Sequence, residues 1–486
     1  MTLSSALNSV QSIFNTTAKQ SSIVSTNIAN VGNSDYVRRQ ASVTTSLAGA
    51  QVVTISRAQE DALLTQYLQS NSKDSAQQTL LSGLESLKSL VGGNDYETSP
   101  STYLSAFQQA MQTFATSPSS SITAQSAVTA AQDLANSLNT ASDGVQSVRA
   151  DADAEIASQV DTLNSLLAQF ETANNAVKAA TTTGADTSSA LDEREKLLKQ
   201  ISSIVGVTSV TRSNNDMALY TSDGTVLFET IPRSVTFSPT STYVAGSEGN
   251  AVYIDGVALT AGEGSTTDAN GSLQALLQLR DEVAPTFQAQ LDEIAKSLVQ
   301  IFSESDGTSS APGLFTWTTS SGAAGGTPSA SDDTTGIAAT ISINTAVITS
   351  QGGDAMKLRD GNISGITDLN SSDDAGFTDN LDSLYQALSA KRDFSSDAGL
   401  STSQSLMDYA SASIGWLEEY RSGATTASEN TTAALSRSDE AYSNETGVNL
   451  DEELTLLLDI EQSYKAATKI LNVIDEMLQS LLDIAS

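Results

Sequence analysis

Residues 449–484 read NLDEELTLLLDIEQSYKAATKILNVIDEMLQSLLDI, and their apolar positions fall in steps of three and four: Leu450, Leu454, Leu457, Ile460, Tyr464, Ala467, Leu471, Ile474, Leu478 and Leu481. That spacing is the seam of a helix that packs on another helix, with one extra step of three. The start is marked as well. Asn449 is a capping residue, Glu452 stands three positions on as in a capping box, and Asp451 and Glu453 favour the positive end of the helix dipole. The final helix is therefore expected to begin at Leu450.

The other end of the chain carries a weaker version of the same pattern. Leu3, Leu7, Val10, Phe14, Thr17, Ser21, Val24 and Ile28 alternate steps of four and three, but two of these core places hold hydroxyls. The run then meets STNIANVGNSDYVRRQ, residues 25–40, with Asn27, Asn30 and Asn33 within seven residues. This segment is too polar for a core. Asparagine amides suit a place where a helix stops, because they hydrogen-bond the backbone groups that the helix leaves free. An ordinary Asn-rich helix stop is the plainer alternative.

Composition bounds the function. The chain has 486 residues, enough for two to four domains. A net charge of −34 and a pI near 4.1 oppose binding to phosphate backbones or anionic lipid, so neither nucleic acid nor membrane is an expected partner. There is no cysteine and no histidine, which removes disulfides, thiolates, the commonest general base and the commonest metal ligand. No enzyme activity, cofactor or metal is expected. No apolar run reaches the roughly 18 residues of a membrane span, and no Lys or Arg precedes Lys19, unlike an ordinary secretory signal.

Between the ends, helical spacing recurs over 56–91, 134–177, 272–302 and 399–442. The pattern changes to alternation over 206–262, where MALYTSDGTVLFET turns about Asp223-Gly224 and AVYIDGVALT about Asp255-Gly256, as hairpins do. Residues 306–376 are rich in Gly, Ser, Thr and Asp and read as loops, with a short β-like run at 341–348. The expected fold is mainly α with a β-rich middle (α+β): long terminal coiled-coil-like helices and a central helical bundle with β-hairpin insertions. Its expected parts are a terminal helical assembly region with an Asn-rich connector (1–45 and 446–486), a central bundle (46–205, 263–307 and 377–445), a β-hairpin insertion (206–262) and a loop and β insertion (308–376).

These residues carry a resemblance. STNIANVGNSDYVRRQ resembles the segment after the first helix of bacterial flagellar axial proteins, in Asn27, Ile28, Ala29, Asn30 and Tyr36. The C-terminal stretch from Val448 is similar to the end those proteins share. Two inner stretches, LDEREKLLKQISSIVGV (191–207) and GSLQALLQLRDEVAPTFQAQLDEIAKSLVQIF (271–302), resemble the middle of the hook-associated protein 1 family, whose members join hook to filament. The resemblance implies a structural component of the flagellum, exported through the flagellar export apparatus to the cell exterior. It implies self-association in a ring-like zone, contacts with hook protein, with a second junction protein and filament, and an export chaperone on the final helix. The implied subunit contacts are Leu3, Leu7, Val10, Phe14, Val24, Asn27, Ile28, Asn30, Leu450, Leu454, Leu457, Tyr464, Leu471, Ile474, Leu478 and Leu481.

Two departures stand out. Asn33-Ser34-Asp35 replaces the family's Thr-Pro-Gly, so an altered turn is expected, and the stretch 315–376 is short beside the outer β-domain of longer members, which is expected to be reduced here. The two inner stretches separate the chain from hook and filament proteins. The alternative from another class is an enzyme or carbohydrate-binding module in the β-rich middle. DGNISG (360–365) matches half of a calcium loop but has Ser371 at the twelfth place. Asp151 and Glu155 share a helix face and read as a solvated pair.

Overall fold

The structure is a computed structural model that describes residues 3–45, 51–329 and 332–485. Helix α1 (Leu3–Ala29) precedes a hairpin of β1 (Arg39–Thr45) and β2 (Gln51–Arg57). Four helices follow: α2 (Asp61–Leu90), α3 (Pro100–Thr116), α4 (Ser121–Thr183) and α5 (Ser188–Ile204). Two small antiparallel sheets come next, β3 (Val207–Thr211), β4 (Met217–Thr221) and β5 (Val226–Phe228), then β6 (Val235–Thr236), β7 (Tyr253–Ile254) and β8 (Val257–Ala258). Helices α6 (Ser272–Gln278) and α7 (Ala284–Ile301) are joined by a π turn, Leu279–Val283. After α8 (Ile337–Thr340), α9 (Lys357–Asp360) and α10 (Asp379–Ser389), the chain closes with α11 (Leu406–Thr446) and α12 (Leu450–Ala485). The fold is mainly α with β insertions, and α12 starts at Leu450 as its cap implied.

Several boundaries differ from those read in the sequence, each for a local reason. The helix expected from 56 starts at Asp61, because Arg57 and the residues before it pair with β1 in the register Arg39↔Arg57. The strand RQASVTT is mostly polar, which hid this hairpin. The helix expected over 134–177 runs from Ser121 to Thr183, its alanine-rich start carrying only Ile122 and Val128 as larger apolar residues. Helix α3 was unexpected; Ser99 caps it by accepting from the Thr102 amide, and Pro100 takes the first position, where no N–H is needed. In the stretch 272–302 the ladder widens to a π turn directly before Ala284 and Pro285. The helix expected from 399 begins at Leu406, and the run 341–348 is strand only at Ser342–Ile343 before Asn344 caps a tight turn. Both Asp-Gly hairpins form where the alternation placed them, β4 with β5 and β7 with β8.

The chain divides into two units, one of Met1–Asp74, Thr162–Ser234 and Thr431–Ser486, the other of Ser75–Asp161 and Val235–Asn430. The expected β insertion over 206–262 is thus split, with β3-β4-β5 in the first unit and β6-β7-β8 in the second. In the first unit Phe170 of α4 meets Phe228 of β5 edge to face at 5.1 Å. A buried amide organises the surroundings: Asn174 donates to Asp216 (2.7 Å) and accepts from Arg194 (3.0 Å) and the Met217 amide (3.1 Å). Burial, and the Arg57 cation second, hold the Arg194 guanidinium down to about 10.

In the second unit Phe107, Phe302 and Phe315 form an aromatic cluster with centroids 5.3 to 5.8 Å apart. The fully buried Arg280 of the π turn donates to Asp153 and to Asp281, each at 2.7 Å, and to the Asn250 carbonyl. Tyr243 and the Thr240 amide also donate to Asp153, so the charge pair fixes the 240–250 loop on the helices. Such a pair stabilises only while complete; removing one partner strands the other charge.

Asp292 of α7 is buried as well, accepting from the amides of Gly336 and Ala338 (2.9 Å each) and from Gln288 (3.1 Å). Burial outweighs those bonds and pushes its carboxyl up to about 6, against 3.8 when solvated. The native chain then holds a proton between those pH values that the unfolded chain has released. Stability from this group grows as pH falls through about 6 and is lost as pH rises past it, by roughly 3 kcal/mol at one unit of pKa per 1.4 kcal/mol. Asp292→Asn, which cannot ionise, should therefore gain on the wild type between pH 4 and pH 7 in urea unfolding. A pH-independent difference would show that the carboxyl titrates normally.

Candidate functional site: the terminal helices and their connector

Helices α1 and α12 pack along each other, α1 ending where α12 begins. Val10, Ile23, Val24, Ala467 and Ile474 are buried between and beside them, and Phe14 meets Tyr464 edge to face at 5.0 Å. Of the two hydroxyls in the α1 seam, that of Thr17 turns back onto its own helix and donates to the carbonyls of Ile13 and Phe14. At the start of α12, the Asn449 side chain accepts from the Asp451 and Glu452 amides, as a cap should. The reciprocal half of a capping box is not made. Glu452 and Glu453 instead accept from one guanidinium, that of Arg38, at 2.7 Å each.

The Asn-rich segment explains how the chain leaves α1. Asn27 has no exposed surface. Its amide donates to the Arg39 carbonyl (2.9 Å), while its oxygen accepts from the Tyr36 hydroxyl (2.6 Å) and the Arg39 amide (3.1 Å). One side chain thereby ties the last turn of α1 to the start of β1. Asn30 donates back to Thr26, and Asn33 donates to Asn30. Burial pushes the Tyr36 hydroxyl up, with the stacked Arg39 working against it. Beyond the connector the hairpin is rooted on α5: Arg39 and Arg57 reach Asp192, Arg57 also binds Glu195, and Tyr442 donates to Glu195. Burial beside that carboxylate drives the Tyr442 hydroxyl far up.

The implied contact residues fall into three groups. Leu7, Leu450, Leu454, Tyr464, Leu478 and Leu481 are exposed. Val10, Val24, Asn27 and Ile474 are buried within the chain, and Phe14, Ile28, Asn30, Leu457 and Leu471 are half-buried. The Leu3 side chain lies outside the described residues. The structure adds exposed apolar side chains off the seam, Leu456, Leu458, Ile470, Val473, Met477 and Leu482. The excess of apolar residues around all sides of α12 was the signal for them: a helix with one partner needs one stripe.

Elsewhere, Asp360 of DGNISG accepts from Arg359 (2.7 Å) and Asn370 (2.8 Å), and the Ile363 and Ser364 amides bind Glu304, so this loop is held by protein groups. Asp151 and Glu155 are exposed. Among the described residues no group of three or more acidic side chains has metal-site geometry, and no helix is long and apolar enough to cross a membrane.

Comparison with known proteins now bears on the same elements. Residues 84–308 match the family described as flagellar hook-associated protein FlgK helical domain, and residues 440–484 match the C-terminal family of flagellar basal body rod FlgEFG proteins. Flagellar hook-associated protein 1 of Bacillus subtilis (strain 168) is 22% identical over 520 residues, covering 98% of this chain and 96% of the relative. Over nearly its whole length the chain is therefore similar to a hook-associated protein 1. The solved hook junction protein FlgK from Burkholderia pseudomallei aligns over 52% of this chain and 46% of its own length, at 21% identity and a TM-score of 0.41.

The stretch 33–35 has a plain structural reading. The Asn33 side chain accepts from the Asp35 amide (3.1 Å) and its carbonyl from the Tyr36 amide (3.1 Å), so an Asx turn delivers Tyr36 to Asn27 without proline. Asn27→Ala would leave the Tyr36 hydroxyl and the Arg39 amide without their buried acceptor, at a cost on the order of 3 kcal/mol. The expected outcome is loss of hydrogen-exchange protection at Arg39 and along β1. Protection equal to wild type would remove this tie from the account.

Proposed function

We propose that this chain is a structural subunit of the junction between hook and filament, where it is needed for filament assembly and catalyses no reaction. The observation that carries the reading is the apolar surface of α12. Leu454, Leu458, Ile470, Val473, Met477, Leu481 and Leu482 are exposed on one helix, more large apolar side chains than a helix with a single partner needs. Burial against other subunits gives each such leucine about 1.5 to 3 kcal/mol. On this reading copies associate through their terminal helices, with hook protein on one side and a second junction protein and filament on the other. Before assembly an export chaperone covers α12, and the chain reaches the flagellum outside the cell through the flagellar export apparatus.

The direct test adds purified chain to isolated hook fragments and looks by electron microscopy for a short added segment at one end. Hooks that stay bare would reject the reading. A mutational pair sharpens it. Leu478→Asp puts a charge on an exposed part of α12 and should abolish filament growth in cells lacking the native protein, while the melting temperature is kept. Ile474→Asp, at a buried position against α1, should lower the melting temperature as well. Normal filaments with Leu478→Asp would remove α12 from the assembly surface.

A further inference from the structure

In the first unit a cavity of about 80 Å³ is lined by the start of α2, by α5, by the β3–β4 turn and by Tyr442 of α11. At roughly 30 Å³ per water it has room for two or three small groups. Arg194 of α5 is the member that stands out. It is 4% exposed and forms no ion pair among the described residues. Its Nη1 donates to Asn174 Oδ1 (3.0 Å) and to the Asn215 carbonyl (2.6 Å). The Nε–Nη2 edge has no acceptor among the described residues and stays open to small groups. This is the edge with which a guanidinium grips a carboxylate through two parallel hydrogen bonds.

The charges around it leave that edge unanswered. Asp192 is held by Arg39 and Arg57, Glu195 by Arg57, Lys199 and the Tyr442 hydroxyl, and Asp216 by Lys178, Arg212 and Asn174. With Arg194, six cations gather around these three carboxylates, in a chain whose net charge is −34. Glu60 and Asp61 also line the cavity, but both are exposed, so water screens them, and even counting them the cations are in excess. Burial and the Arg57 cation both work against the charge on Arg194, and an anion against its free edge relieves both.

We propose that this cavity binds one small planar oxyanion, of the size and chemistry of formate or acetate, bidentate on the Nε–Nη2 edge of Arg194. Volume limits the ligand to a single carboxylate group with a short substituent. Water fits as well, but it brings no negative charge. The bound anion ties α5 to the β3–β4 turn and the start of α2, so the stability of the first unit rises with anion concentration. The stretch LDEREKLLKQ then has two chemical tasks: Asp192 and Glu195 hold the hairpin, and Arg194 holds the anion.

Formate is the probe. The full-length chain is melted at neutral pH in a series where sodium formate replaces sodium pivalate at constant ionic strength, pivalate being too bulky for the cavity. The expected result is a melting temperature that rises with the logarithm of formate concentration, together with saturation transfer from the folded protein to the formate proton in NMR. Leu64→Phe, which fills the cavity and leaves every charge in place, should lose both signals. Arg194→Gln should lose them too, and if that variant does not fold, Leu64→Phe decides alone. A rise kept by either folded variant would be a general salt effect and would overturn the proposal. So would the lack of a rise, or of saturation transfer, in wild type, which assigns the cavity to water.

Discussion

The buried amide of Asn27 is the constraint on which the ends of this chain depend. A helix that stops inside a protein leaves backbone groups free, and the chain beyond it is at liberty to turn in any direction. Here a single side chain accepts from Tyr36 and Arg39 and donates to Arg39, which fixes both the stop and the exit. Arg38, held next to this knot, then clasps Glu452 and Glu453 at the start of α12. The position of α12 against α1 follows from those few contacts.

Charge is used differently in the two units, although both bury it. In the first, cations from the connector and hairpin meet the carboxylates of α5, with Tyr442 completing the shell of Glu195. In the second, Arg280 and Asp153 join a helix to a loop that has little apolar surface of its own. Both devices specify where a polar segment lies more than they add to stability, since desolvation offsets much of the attraction.

The helices were legible because apolar spacing is a local signal. The seam of α12, its cap at Asn449 and the two Asp-Gly hairpins could all be placed from neighbouring residues. What could not be read depends on distant partners. Glu452 resembles a capping-box residue, but Arg38, 414 positions away, takes its carboxylate. Asp153 is one acid among several on α4, and nothing near it in the sequence shows that Arg280 lies against it. The β1–β2 hairpin is hidden for a third reason: β1 is mostly polar and gives no hydrophobic alternation to pair with Val52, Val53 and Ile55 of β2. The seam also did not separate positions closed within the chain, such as Val24 and Ile474, from those left open, such as Leu454 and Leu481. A heptad states that a partner exists without saying which chain supplies it.

The unequal lengths of the terminal helices carry a last consequence. Helix α12 has 36 residues and α1 has 27, and they run in opposite directions from the same root. About 14 Å of α12, nine residues at 1.5 Å each, therefore extends past the end of α1. Met477, Leu481 and Leu482 stand on this overhang or at its border. The two edges of the helix pair therefore differ in kind: the rooted edge is closed by the ion pairs of Arg38, and the free edge ends in apolar side chains carried by one helix.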